Sequence, residues 1–271
     1  MAYSGGSSAA ASSYVIRVDL TAKDMAKAVM AVINSEHFDK DAIREQKLTL
    51  SQAFCLLWQD PESGDVDGRK VGVETNGGAA AAVLLDLVVL GKGEVELIPN
   101  KTLGIKNDLI VFKVLSDKPT ETYLDAAMFD SILKHHSKHP DKPEKVKHWI
   151  YEDITQMKAR NLCSTVTLDS LVEMGVLDMK EKFIGRQYPT VKPGLEENLV
   201  RDIRAVALDG AEPSSYIRAL LALARAADDL LCLSDPILKK HFSKDEYDKA
   251  KERIIALVGI DKKSKGKYEA I

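Results

Sequence analysis

The stretch that most limits the fold is NGGAAAAVLLDLVVLGKGEVE, residues 76–96. Two glycines and four alanines open it, and an apolar run follows that holds one carboxylate, Asp86. From Ala79 to Leu90 there are 12 residues. As a helix these span about 18 Å, against roughly 30 Å of bilayer hydrocarbon. A segment this apolar must leave water, and it is too short to do so by crossing a membrane, so it reads as a core helix. It is not a phosphate loop: alanines follow the glycines where a P-loop needs a lysine, and no strand precedes them. An acid inside such a helix is either a catalytic group in a pocket or an acceptor for a helix N-terminus or an arginine. No second carboxylate stands at a fixed spacing from Asp86, which favours the structural role.

Helical periodicity continues along most of the chain. Thr21 with Asp24 reads as an N-terminal cap for MAKAVMAVI, and Thr49 as the cap of LSQAFCLLW. Pro61–Gly78, with five glycines, reads as a loop. Gly91 ends the central stretch, EVELIPN alternates as a strand, and LIVFKVL is its partner. Further helices are expected over TETYLDAAMFDSILKHHSKH, from Pro143 to Asn161, over TLDSLVEM before Gly175, over LEENLVRDIRAVAL before Gly210, over the apolar PSSYIRALLALARAADDLL, and from a Ser243 cap to Gly259. The fold class is therefore mainly α: one globular domain of about ten helices around a buried apolar helix, with one or two small β-hairpins. The expected divisions are a flexible tail over 1–13, a helical extension over 14–46, the main domain over 47–260 and a basic tail over 261–271. Residues 1–13 lack the charged start and apolar core of a secretory signal.

The net charge of −3 sets a nucleic-acid binder at a disadvantage. One echo points the other way: LLDLVVLGKGEVELI and LDSLVEMGVLDMKEKF share a helix–glycine–strand plan like that of winged-helix modules. Cys55, Cys163 and Cys232 are far apart and set among apolar or small residues, which suits buried thiols better than disulfides or a zinc cage. His135 and His139 have metal-ligand spacing. With His136 they lie in a lysine-rich helix end, where cations complement the helix dipole, so no metal or cofactor is expected. No G-x-S-x-G elbow or paired nucleophile appears, and a non-enzymatic binding role is the reading.

Several blocks in register carry a resemblance: KLTLSQAFCLLWQD, LLDLVVLGKGEVE, SDKPTETYLDAAMFDSILKH with KVKHWI, LDSLVEMGVL and RALLALARAADDLL. From about Lys47 to about Val258 the chain resembles the Golgi phosphoprotein 3 family. The resemblance implies a peripheral protein on the cytosolic face of Golgi membranes. It implies reading of phosphatidylinositol 4-phosphate, and retention of glycosyltransferases by bridging their tails to the COPI coat. A phosphorylated headgroup wants two or three cations in a rigid pocket, and an apolar hairpin beside it adds affinity.

The chain departs from the family's headgroup site. The loop Pro61–Gly78 has no tryptophan, and its cations are Arg69 and Lys70. By register, one family arginine falls near Ala81 and the Arg-x-x-Arg pair on Asn161 and Ser164, with Lys158 and Arg160 just upstream. The candidate phosphoinositide-binding residues are therefore Arg69, Lys70, Lys158 and Arg160. In the hairpin Asp178–Val191, the candidate membrane-dipping or self-association residues are Phe183, Ile184 and Tyr188, with packing on the domain as the alternative. Two readings of the departures stand open: neighbouring cations replace the missing ones, or the chain keeps the scaffold as a protein–protein module and has lost the lipid.

Overall fold

The computed structural model describes residues 6–65, 72–102, 105–106, 108–156, 161–183, 185–228 and 237–259. Its helices are α1 (Gly6–Ile33), α2 (Lys40–Arg44), α3 (Leu50–Trp58), α4 (Val73–Val89), α5 (Asp130–Lys138), α6 (Val146–Thr155), α7 (Cys163–Glu173), α8 (Gly194–Leu208), α9 (Ser215–Ala227) and α10 (Lys244–Val258). The strands are β1 (Gly93–Ile98), β2 (Lys101–Thr102), β3 (Ile105–Lys106), β4 (Leu109–Val114), β5 (Glu144–Lys145), β6 (Lys180–Glu181) and β7 (Arg186–Gln187). The chain is mainly α, as its periodicity predicts.

Every residue of α4 except Asn76 is buried, and α4 is the axis of the fold. Around it α6, α1, α9, α3 and α7 form a ring in which each touches the next, while α8 and α10 pack outside on α3 and α9. The apolar α9 is also deeply buried, yet it is one stave of that ring. The centre falls to α4 because its glycines and alanines let neighbouring helices close in. A Cβ added at Gly78 would stand 2.3 Å from Phe54 Cζ of α3, and one at Gly77 would stand 2.9 Å from Thr21 Cγ2 of α1. The expected loop through Gly78 is thus corrected: the helix starts at Val73, and both glycines serve helix contact rather than a turn.

Two further boundaries differ from the expectation. Thr21 is no cap; it is fully buried inside α1, because the stripe Val18, Ala22, Met25, Val29 and Val32 runs straight through it at helical spacing. α1 also begins at Gly6, so it takes in residues 6–13 of the expected tail. Its buried stripe belongs to the same core cluster as α3, α4 and α9. Helix α6 begins at Val146 rather than at Pro143, because Glu144 and Lys145 pair with Val111 and Phe112 as β5.

Local signals elsewhere match. Thr49 caps α3 in a reciprocal box with Gln52, and Ser243 caps α10 in the same way with Glu246. The echo between the two helix–glycine–strand segments is real at the level of hydrogen bonds. After α4, Gly91 N donates to Val88 O (3.1 Å) and Lys92 N to Leu87 O (2.9 Å). After α7, Gly175 N donates to Val172 O (2.8 Å) and Val176 N to Leu171 O (2.9 Å). Both glycines hold φ near +66 to +69°, so the likeness is one left-handed helix exit used twice. The first exit leads into β1, paired with β4 from Gly93↔Val114 to Ile98↔Leu109. The second leads through the bridge Leu177↔Thr190 to the hairpin β6–β7.

Candidate functional site

Two buried carboxylates hold the helices that frame the site. Asp86 of α4 accepts hydrogen bonds from Leu50 N (2.8 Å), Ser51 N (2.9 Å) and Ser51 Oγ (2.6 Å), which ties the N-terminus of α3 to the axis. Tyr123 extends this network, its hydroxyl lying 2.6 Å from Ser51 Oγ. Burial raises the Asp86 carboxyl to about 6 against the pull of these donors. Asp153 of α6 accepts from Cys163 N at 2.8 Å and so clamps the start of α7. Burial raises it further, to about 7, and its second oxygen, Oδ2, has no hydrogen-bond partner. Cys55 and Cys163 are buried free thiols, and burial raises both well above the ordinary thiol range. Cys232 lies outside the described residues.

The N-terminal ends of α4 and α7 meet. Ser164 Oγ donates to Asn76 Oδ1 at 2.7 Å, four residues past position 160 and five past position 71 respectively. The segment 66–71 enters α4 there and the segment 157–160 enters α7 there, so their exits adjoin. The hairpin is tied to the start of the loop that leads to α4. Tyr188 N donates to Gly64 O (2.7 Å), and Asp65 accepts from Gln187 Nε2 (2.8 Å) and Lys182 Nζ (3.2 Å). From Asp65 the chain has seven peptide links to reach Gly72. That limits the gap between the hairpin and the start of α4 to about 25 Å.

Four described cations of these elements meet acids. Arg17 of α1 pairs with Glu74 in the first turn of α4, with Nε 2.6 Å from Oε1 and a second bond from Nη2 to Oε2. Lys147 meets Asp19 (2.5 Å), Lys182 meets Asp65, and Arg186 meets Asp169 (2.9 Å). Hydrogen bonds from Gln187 and Lys182 lower the Asp65 carboxyl below its usual range.

The residues singled out by sequence fall as follows. Arg69, Lys70, Lys158, Arg160 and Ile184 lie outside the described residues. Phe183 stands at the hairpin tip with its whole side chain in solvent, 104% exposed. Tyr188 is a correction: it is buried, and its hydroxyl donates to Asp169 Oδ1 at 2.8 Å, so it fastens the hairpin to α7 instead of presenting itself outward. Ala81 is fully buried in the packing of α4, so the position nearest the expected family arginine is core rather than a lipid-facing surface. Asn161 is exposed, while Ser164 is buried in its bond to Asn76. His135 stands edge-on to Trp149, ring centroids 5.5 Å apart, and 5.1 Å from His139. Among the described residues no three metal-ligating groups gather.

Sequence reasoning missed Arg17, Glu74, Asn76 and Asp153. Arg17 carried a signal, as the first charged residue after 16 uncharged ones. Glu74 and Asn76 were hidden by extending the loop too far. Asp153 sits in YEDIT, whose acids look like an ordinary solvated helix face.

A family model described as Golgi phosphoprotein 3 (GPP34) matches residues 50–261 of the chain. No curated protein matches it.

Proposed function

The chain belongs to the Golgi phosphoprotein 3 family, and from that premise we propose that it is a non-enzymatic peripheral adaptor that meets phosphoinositide membranes through the face just described. Membership supports a Golgi-associated adaptor role, and no described helix is long and apolar enough to cross a membrane. The finer reading is that Arg69, Lys70, Lys158 and Arg160 gather a phosphatidylinositol 4-phosphate headgroup while Phe183, with Ile184 beside it, dips into the interface. Glycosyltransferase tails and the COPI coat are the protein partners this implies.

One observation carries the reading: the Ser164–Asn76 bond, which brings together the exits of the two segments that hold the four cations. Phosphate recognition improves with convergent cations, and each lysine or arginine near an anionic leaflet adds about 1 kcal/mol. The buried acids Asp86 and Asp153 are engaged at helix N-termini, which leaves them a structural rather than a catalytic part. Flotation with phosphatidylcholine vesicles, with and without phosphatidylinositol 4-phosphate, tests the proposal. Binding should require the phosphoinositide and vanish in Lys158→Glu/Arg160→Glu. Equal binding to neutral vesicles overturns it.

A second reading is favoured by the matched charges. Arg17, Lys147, Lys182 and Arg186 all face acids, and the family's arginine positions hold buried Ala81 and Ser164. Under this reading the scaffold serves protein partners alone, with self-association through the hairpin among the contacts. It predicts partners in a pull-down and no saturable phosphoinositide signal.

A further inference from the structure

The leading end of α1 is a second exposed apolar element, beside the start of α4. Ser12, Ser13, Tyr14, Val15 and Ile16 are five successive exposed residues. That is more than one helical turn of about 3.6 residues, so every side of this turn is partly open to solvent. Tyr14, Val15, Ile16 and Leu20 expose 48%, 51%, 57% and 42% of their surfaces, whereas Val18, Ala22 and Met25 beyond them are at 0%. Arg17 lies against Glu74 and Thr21 against Gly77, so α1 runs parallel to α4. The residues ahead of Arg17 therefore run past the first turn of α4, at the end where Gly72 enters it.

The chemistry of this end selects its occupant. Residues 1–16 hold no charged side chain, and the first charge, Arg17, is already matched by Glu74. A partner helix or a second copy covers one stripe of a helix, about 100° wide. Tyr14, Val15 and Ile16 are about 100° apart in turn and cover roughly twice that arc. A lipid interface surrounds whatever enters it. An uncharged helix end enters without stripping water from a charge, and a tyrosine suits the boundary where one end is apolar and the other wet.

We propose that the end of α1, Tyr14–Ile16 with Leu20, inserts into the interfacial layer of a lipid bilayer. The proposal rests on the membrane reading above and adds to it a second apolar anchor. Two insertion points also fix the orientation of the protein on the surface, which one cannot.

The test uses the full chain with Tyr14→Trp and vesicles of phosphatidylcholine, phosphatidylserine and phosphatidylinositol 4-phosphate whose acyl chains carry bromine. The native Trp58 and Trp149 are only 3% and 5% exposed and serve as an internal reference out of reach of the quencher. Quenching of the added tryptophan is expected. So is a drop of about tenfold or more in vesicle partition for Val15→Asp/Ile16→Asp, from the apolar area withdrawn, with an unchanged melting temperature because both residues are exposed. Vesicle binding that persists in Val15→Asp/Ile16→Asp without quenching at position 14 overturns the inference and leaves the membrane reading standing. Loss of self-association in that variant by sedimentation, with vesicle binding intact, overturns it in favour of a second copy. A full chain that binds none of these vesicles sinks both, and Phe183→Ala reports the hairpin's share separately.

Discussion

Asp153→Asn should stabilise the protein at pH 8 and leave it nearly unchanged at or below about pH 4. The Asp153 side chain spans the α6–α7 join: Oδ1 receives Cys163 N, and Oδ2 is buried without a partner. Burial raises the carboxyl from 3.8 to about 7. An acid that binds its proton more tightly in the fold stabilises most when protonated. Its contribution is whole below about pH 4 and is withdrawn as pH rises through about 7. At 1.36 kcal/mol per pH unit, the ionised form costs the fold about 4 kcal/mol relative to the protonated one. Asparagine keeps the acceptor for Cys163 N and cannot ionise. Its amide leaves one buried donor unmet, at about 1–3 kcal/mol, a penalty that the protonated carboxyl also meets at low pH. That penalty is common to both, so the net gain at pH 8 is about 4 kcal/mol. Asp86 adds its own dependence between 3.8 and about 6, present in both proteins, so the difference isolates Asp153. Urea unfolding of both proteins from pH 4 to pH 8 measures it. A variant less stable than the parent at pH 8 would refute the reasoning, because the charge would then be earning more from Cys163 N than burial takes away.

Gly78→Ala should destabilise by about 1–3 kcal/mol, since its methyl would fall 2.3 Å from Phe54 Cζ between α3 and α4; an unshifted melting temperature would refute the close approach. Arg17→Met should cost about 3–5 kcal/mol by stranding Glu74 in a site only 9% exposed, while Arg17→Met/Glu74→Leu should return most of that loss, both read by chemical denaturation.

The residues explain why some of this was legible beforehand. Thr49, Ser243 and the Gly91 and Gly175 exits act through bonds within a few residues of themselves, so a local pattern states them fully. The role of Asp86 was legible by elimination, since a lone carboxylate in an apolar helix must find donors. Tyr188 was not legible. Its neighbours in sequence make it a hairpin residue, and only Asp169, 19 positions away, makes it an anchor. Gly77 and Gly78 misled because glycine marks both turns and close helix contacts, and choosing between them requires Phe54 and Thr21 to be in place.

By itself, then, the sequence determined a mainly helical chain, its local starts and stops, and its family, because periodicity and caps are short-range properties and the family's blocks stand in order along the chain. The tertiary structure alone decided that α4 is the axis, that Asp153 closes the join at Cys163, that the N-terminal ends of α4 and α7 adjoin, and that Tyr14, Val15 and Ile16 at the start of α1 are exposed. Each of these depends on contacts between residues far apart in the chain, such as Ser164 with Asn76 and Arg17 with Glu74, which no local pattern encodes.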